Sequence, residues 1–305
     1  MKFSVVVPVF NEEKNVAQLH KEILAVMKPL KKPYEIIFVD DGSVDKTYTV
    51  LKKLKSIKII KLRKNFGQSA ALDAGIKNSQ GKILITLDGD GQNDPSDIPK
   101  LLNKLKKDYD VVCGWRKHRQ DPALKKFISA GAAFLRKFLA NDSIHDSGCS
   151  LRVYKKECFE NLDLYGEMHR MLPALLKWCG FKITEVEVNH RARKFGKTKY
   201  NYKRIIKGFL DMIYIWFWRK YENRPLHLFG SFGFLLLFFS FAFGVYLIIK
   251  RLFFNYPLSD KIWPLVATTG FIAGIQLIIF GLLADLVVKN RRQKNFYKIQ
   301  KIIKK

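Results

Sequence analysis

Two uninterrupted apolar runs constrain this chain more than any other feature. Leu226 to Ile249 is 24 residues without a formally charged side chain, and Ile262 to Ala284 is a second run of 23. At 1.5 Å of rise per residue the first makes roughly 36 Å of helix, enough to cross a bilayer core. A water-soluble domain has no place for two such helices, so residues 226–289 read as a two-helix transmembrane hairpin. Charge on the flanks sets its expected orientation. Arg219, Lys220 and Arg224 precede the first run, whereas Lys289, Arg291, Arg292, Lys294, Lys298, Lys301, Lys304 and Lys305 follow the second with no acid among them. Between the runs the basic residues are Lys250, Arg251 and Lys261. The positive-inside rule therefore puts residues 1–200 and the basic tail 290–305 in the cytosol, with both termini. Segment 201–222 mixes Ile, Phe, Trp and Met with Lys and Arg, the composition of an interfacial amphipathic stretch lying at the headgroups. The chain reads as an integral inner or plasma membrane protein.

Membrane contact also accounts for the charge. Lys+Arg of 55 against Asp+Glu of 27 gives +28, which suits nucleic acid, an anionic membrane surface or phosphorylated substrates. With a hairpin and basic flanks present, nucleic acid is not the expected partner. Cys113, Cys149, Cys158 and Cys179 show no C-x-x-C spacing, which points to neither a zinc site nor a disulfide framework and fits a reduced compartment. Met1-Lys2-Phe3-Ser4 leads straight into a strand, so no cleavable signal peptide is expected.

Residues 1–200 alternate strand and helix. Phe3 to Val9, Glu35 to Val39, Ile57 to Leu62, Ile83 to Leu87, Tyr109 to Gly114 and Val186 to Val188 are short apolar runs. Helical stretches lie at about Lys14 to Met27, Asp45 to Lys55, Ser69 to Ser79 and from Glu167. That alternation predicts an α/β, Rossmann-like parallel sheet. No Gly-x-Gly-x-x-Gly follows the first strand and no P-loop occurs, so dinucleotide and P-loop chemistry are not expected.

The fourth strand ends abruptly in Asp88-Gly89-Asp90-Gly91-Gln92-Asn93-Asp94-Pro95. Strand carboxyl ends are where α/β sheets place ligands. Asp88 and Asp90, at spacing two, can converge on one point, and the glycines let a bulky ligand come close. Hard oxygen ligands of this kind suit Mg²⁺ or Mn²⁺ shared with substrate phosphates. A solvated acidic turn has the same local sequence. The strand leading in, and the second strand ending in Asp40-Asp41, favour the metal.

Val7-Pro8-Val9-Phe10-Asn11-Glu12-Glu13, Val39-Asp40-Asp41-Gly42-Ser43-Val44-Asp45-Lys46-Thr47 and Leu87-Asp88-Gly89-Asp90-Gly91-Gln92 together resemble the inverting family 2 glycosyltransferases. More narrowly they resemble the dolichyl- and polyprenyl-phosphate sugar synthases, over about the first 200 residues. The resemblance implies a glycosyltransferase-A type sheet domain binding a UDP- or GDP-linked sugar. It carries nucleotide contacts onto Pro8, Phe10, Glu12, Phe38 and Asp40. It carries metal ligation onto Asp88, Asp90 and Gln92; Gly89 stands where the family often has alanine, a departure expected to be harmless. It further implies that Arg116, with Lys125 and Ser129, binds the phosphate of a polyprenyl phosphate acceptor, lysine replacing an arginine that would bind bidentately. Arg119 is a further candidate. Arg193 and Lys199 match a loop that closes over the diphosphate. Asp146 either orients groups at the site or holds its loop, and His169 reads as structural rather than as a base.

A phosphate acceptor is already largely anionic at neutral pH, with a second pKa of about 6, so no general base is expected. The chemistry implied is one inverting displacement giving a lipid-linked monosaccharide. A processive polysaccharide synthase would share the nucleotide half, but its Gln-x-x-Arg-Trp motif is missing. A membrane-tethered, non-enzymatic binding protein would leave the acidic loop without purpose.

Overall fold

The computed structural model describes residues 2–106, 108–117, 144–160, 162–164, 166–192, 217, 220–221, 224–259 and 261–291. The chain divides into two compact units, Met1–Met212 and Ile213–Lys305.

The first unit is built on seven strands: β1 (Phe3–Val9), β2 (Tyr34–Asp40), β3 (Lys58–Lys61), β4 (Ile83–Thr86), β5 (Val111–Trp115), β6 (Arg152–Lys155) and β7 (Ile183–Glu187). They form one sheet in the order β3-β2-β1-β4-β6-β5-β7. The apolar runs are continuous because the sheet is covered on both faces. Val5, Val7 and Val9 of β1 point into one core with Leu19, Ile23 and Met27 of α1 (Val16–Met27) and Leu101 of α4 (Ile98–Leu105). Val6, between them, points to the other core. There it meets Leu72 and Ile76 of α3 (Gln68–Lys77) and Leu172 and Leu176 of α5 (Met168–Trp178). Helix α2 (Thr47–Lys53) follows β2.

The sheet is mixed, not parallel throughout, because β6 pairs antiparallel with both β4 and β5. Arg152-Val153-Tyr154-Lys155 is too short, and too charged at its ends, to announce a buried strand. Its charged ends find partners elsewhere in the fold, with Arg152 Nε left without one. Arg152 Nη1 donates to the His169 carbonyl at 2.9 Å, and Lys155 pairs with Asp110 at 2.8 Å. Antiparallel insertion brings the start of β6 to the edge where β1, β2, β3, β4, β5 and β7 end. Seven strand termini thus share one edge, and the candidate site lies there.

The second unit contains α6 (Pro225–Phe254) and α7 (Trp263–Arg291), both long and apolar enough to cross a membrane. Helix α6 continues past the apolar run, so Lys250 and Arg251 sit in its closing turns rather than in the loop, and Asn255 ends it in the left-handed conformation. In lipid there is no hydrophobic drive between helices, so close backbone approach must hold the pair. A Cβ on Gly233 would fall 2.7 Å from the Gly274 carbonyl oxygen, and one on Gly274 would fall 2.9 Å from that of Gly233. Asp285 of α7 accepts from the Leu226 N–H at 3.3 Å, capping the start of α6. Gly274→Leu should therefore lower the thermal stability of the detergent-solubilised protein. Gly244→Leu, whose Cβ meets nothing within 4 Å, should leave it unchanged.

Candidate active site

The acidic loop leaving β4 is fastened at both ends by one hydroxyl. Ser150 Oγ accepts from the Asp88 N–H at 3.2 Å and from Asn93 Nδ2 at 2.7 Å. Asp90 Oδ1 accepts from the Gln92 N–H at 3.1 Å, and Gly91 turns the chain at φ +72°. Gln68, the first residue of α3, donates through Nε2 to Asp88 Oδ1 at 2.6 Å. Arg191 braces the loop from outside. Its N–H donates to the Gln92 carbonyl at 2.9 Å, and its guanidinium pairs with Glu22 and Asp94 at 2.7 Å each. Burial, and then the charge of Asp90, push the Asp88 carboxyl up to about 6, opposed by Ser150, Arg116 and Arg152.

The loops after β1 and β2 clasp each other. The Asn11 N–H donates to Ser43 Oγ at 2.9 Å, the Val44 N–H to Asn11 Oδ1 at 2.9 Å, and the Glu12 N–H to Thr47 Oγ1 at 2.8 Å. Phe10 and Glu12 are half-buried in this clasp and Pro8 is buried. Asp40 is fully buried. Its Oδ1 accepts from the Ser43 N–H at 3.0 Å, whereas Oδ2 has no hydrogen-bond partner. Phe38 differs from the sequence expectation, because its ring is 0% exposed and packs edge-on to His20 inside the core. It stands two residues before the strand end, one pleat too deep for its ring to meet a ligand. Gly89 is accommodated without strain, in keeping with a harmless departure from alanine. A Cβ there would come 2.5 Å from Val9 Cγ1, so alanine would force Val9 to move, and glycine is matched to this chain's valine.

Arg116, just past β5, forms a side-on fork with Asp146: Nε to Oδ2 at 2.6 Å and Nη2 to Oδ1 at 2.9 Å. The side chains are 12% and 7% exposed. The turn bearing Asp146 is pinned by Glu185 of β7, which accepts from the His145 and Asp146 N–H groups at 2.9 and 3.1 Å. Asp146 thus holds its loop and pairs with Arg116 at the same time. His169 is tied in as a structural residue would be. Its N–H donates to Ser69 Oγ at 3.1 Å, and its Nδ1 lies 2.9 Å from the same oxygen.

The structure therefore brings Asp40, Asp88, Asp90, Gln92 and Arg116 to one edge of the sheet. Arg119, Lys125, Ser129, Arg193 and Lys199 lie outside the described residues. Gln68, Ser150 and Arg191 carry no assignment from sequence reasoning. Their partners lie 20, 62 and 97 positions away, and only the fold joins them. Among the described residues no group of three or more His, Cys, Asp or Glu side chains is assembled. The acidic centre is the Asp88/Asp90 pair with the neutral Gln92 beside it.

Residues 4–163 match the family described as Glycosyl transferase family 2. Dodecaprenyl-phosphate galacturonate synthase of Rhizobium johnstonii is 35% identical over 95% of this chain and 88% of its own length. Undecaprenyl-phosphate 4-deoxy-4-formamido-L-arabinose transferase of Proteus mirabilis is 32% identical over 99% of this chain and 94% of its own. Among solved structures, glucosyl-3-phosphoglycerate synthase from Mycobacterium tuberculosis in complex with phosphoglyceric acid superposes with a TM-score of 0.55. The match is at 17% identity and covers 72% of this chain and 79% of that one. The same synthase in complex with Mn²⁺ and UDP-glucose gives a TM-score of 0.52 at 18% identity, over 72% and 78%. The chain belongs to glycosyl transferase family 2 and is a glycosyltransferase with the mixed sheet of that fold, as the motif resemblance implied.

The raised Asp88 carboxyl has a consequence for stability. An acid whose pKa rises from 3.8 to about 6 on folding destabilises the metal-free protein wherever it is ionised. The penalty is absent below the unfolded value, grows between the two, and is complete above about 6. Asp88→Asn removes it. At pH 8, in chelator, the variant should be more stable than wild type by at most about 3 kcal/mol. Chemical unfolding at pH 8 and pH 4 checks this, and the advantage should vanish at the lower pH.

Proposed function

We propose that the protein transfers a monosaccharide, with inversion, from a UDP- or GDP-linked donor to a polyprenyl phosphate at the cytosolic face of the membrane, using Mg²⁺ or Mn²⁺. The observation that carries this reading is the extent of the match. Two relatives named for dodecaprenyl- and undecaprenyl-phosphate substrates align with 95% and 99% of the chain, beyond the sheet unit and into the apolar helices.

The donor set fits a hard divalent cation: two carboxylates one residue apart, one of them raised by burial and then by the other's charge. Asp88, Asp90 and Gln92 would hold the metal, which when bound would neutralise the departing diphosphate. Pro8, Phe10, Glu12 and Asp40 take the nucleotide. The unpartnered Asp40 oxygen supports a base carrying a ring N–H, as uracil and guanine do. Arg193 and Lys199 are assigned to the diphosphate. Arg116, Lys125 and Ser129 are assigned to the acceptor phosphate. Its oxygen is already anionic, so the residues supply rate by holding it in line behind the anomeric carbon. The Asp146 fork uses two of the five guanidinium N–H groups of Arg116, leaving three for a phosphate.

Arg116→Ala would strand the buried Asp146 carboxylate, a cost to folding rather than to binding. The informative variant is Arg116→Met with Asp146→Asn. Losing a charge-assisted hydrogen bond of about 1.5–3 kcal/mol should raise the polyprenyl phosphate requirement roughly ten- to 150-fold. Calorimetric nucleotide binding with Mn²⁺ should stay unchanged. Transfer assays with a panel of radiolabelled nucleotide-sugars and undecaprenyl phosphate test the reading as a whole. No transfer from any donor, or nucleotide affinity lost with acceptor dependence intact, would overturn it.

The orientation rests on the same basic flanks. A cysteine at Ser259 should react with an impermeant maleimide in intact cells, and one at Ser56 only after permeabilisation.

A further inference from the structure

We infer that Gln68 is a positioning residue for Asp88, set in place by Asp41, and that it governs how tightly the site retains a divalent cation. The inference rests on the metal reading above. Asp41 follows directly on Asp40 at the end of β2, yet it faces away from any nucleotide role. It is 4% exposed, and its two oxygens accept from the Phe66 and Gly67 N–H groups at 2.8 and 2.9 Å. Those amides belong to the turn that starts α3, where Gly67 takes φ +96°. Asp41 thereby fixes the first turn of the helix, and the first helical residue is Gln68.

From that fixed point the Gln68 amide reaches Asp88 Oδ1 at 2.6 Å. An ionised carboxylate only accepts, so the amide must present its N–H, which fixes the direction of the bond. The contact orients Asp88 and leaves Oδ2 as the oxygen not engaged by Gln68. Ser150 holds the backbone of the same residue from the opposite side through its N–H. Carboxylate, backbone and helix are thus locked together before any ligand arrives. Partners of metal-ligating carboxylates typically contribute 10- to 100-fold in metal affinity. Gln68 is placed to be such a partner, and Asp41 explains why a glutamine on a helix end can hold so short a bond.

The test uses the full-length protein in detergent, with Mn²⁺ retention in the presence of UDP read from the free-ion electron paramagnetic resonance signal. Gln68→Met keeps length and helix propensity but removes the donor. It should weaken Mn²⁺ retention about 10- to 100-fold, with the polyprenyl phosphate KM unchanged. Gln68→Ala should behave alike and stands in should the first variant not fold. Retention equal to wild type would overturn the inference. So would a polyprenyl phosphate KM that rises in step with the loss, which marks a general disturbance of the site. Altered discrimination among donor sugars with Mn²⁺ retention intact would also overturn it, making Gln68 a sugar contact. Wild-type protein that retains no Mn²⁺ with UDP would instead refute the metal reading beneath it, and Asp90→Asn serves as the reference for lost retention.

Discussion

The like-charge pair Asp88/Asp90 is the constraint around which the first unit is arranged. Two carboxylates one residue apart, one of them pushed up to about 6 by burial and its neighbour, form an arrangement no fold adopts for its own stability. It persists because the surroundings over-determine it. Ser150 ties both ends of the loop, Gln68 engages one oxygen, and Arg191 braces the outside against α1. The buried Arg152 lies close enough to oppose the rise electrostatically. Each partner comes from a different strand end or helix, so the mixed sheet is needed to assemble them. Stability spent on holding a buried carboxylate beside a like charge is more characteristic of a site than of a scaffold.

How much of this was legible in the sequence follows from how local each signal is. Strands β1, β2 and β4 were readable because burial on both faces makes them continuous apolar runs. The hairpin was readable because lipid demands length without charge. Strand β6 was not, since the partners of its charged ends, a backbone carbonyl and a carboxylate, lie 17 and 45 positions away. Asp88 and Asp90 stood out by their spacing together with the strand leading in and the second strand ending in Asp40-Asp41. Arg116 was found by motif, but its fork to Asp146 was not, because an ion pair between positions 30 apart leaves no periodic trace. Phe38 shows the opposite error. A motif position near a strand end can serve through its backbone while its side chain belongs to the core.

Gly89 shows how a family pattern is adjusted to one chain. Alanine at this position is harmless only where the facing strand leaves room, and Val9 Cγ1 would stand 2.5 Å from its Cβ. The small residue on one strand and the larger one on its neighbour form a single packing decision. Similar logic governs the hairpin, where Gly233 and Gly274 are small because each faces the other's backbone. In water such close approach would add little to a hydrophobic seam. In lipid it supplies the contact area that holds the helices together.

The acceptor's chemistry ties the two units to one purpose without a catalytic base. A sugar hydroxyl must lose a proton to attack, so enzymes that use one keep a buried group poised to take it. Several polar groups at this edge already have partners: His169 is engaged with Ser69 and Arg152, Asp146 with Arg116, and Asp41 caps the turn into α3. In the proposed reaction Arg116 supplies positive charge to a phosphate nucleophile, and the raised Asp88 carboxyl is assigned to the metal rather than to a proton. An acceptor that brings its own anionic oxygen on an isoprenoid tail is a substrate for which a basic pocket and a membrane anchor are sufficient. Arg116 and the two long apolar helices are the described parts of the chain that fit this proposal.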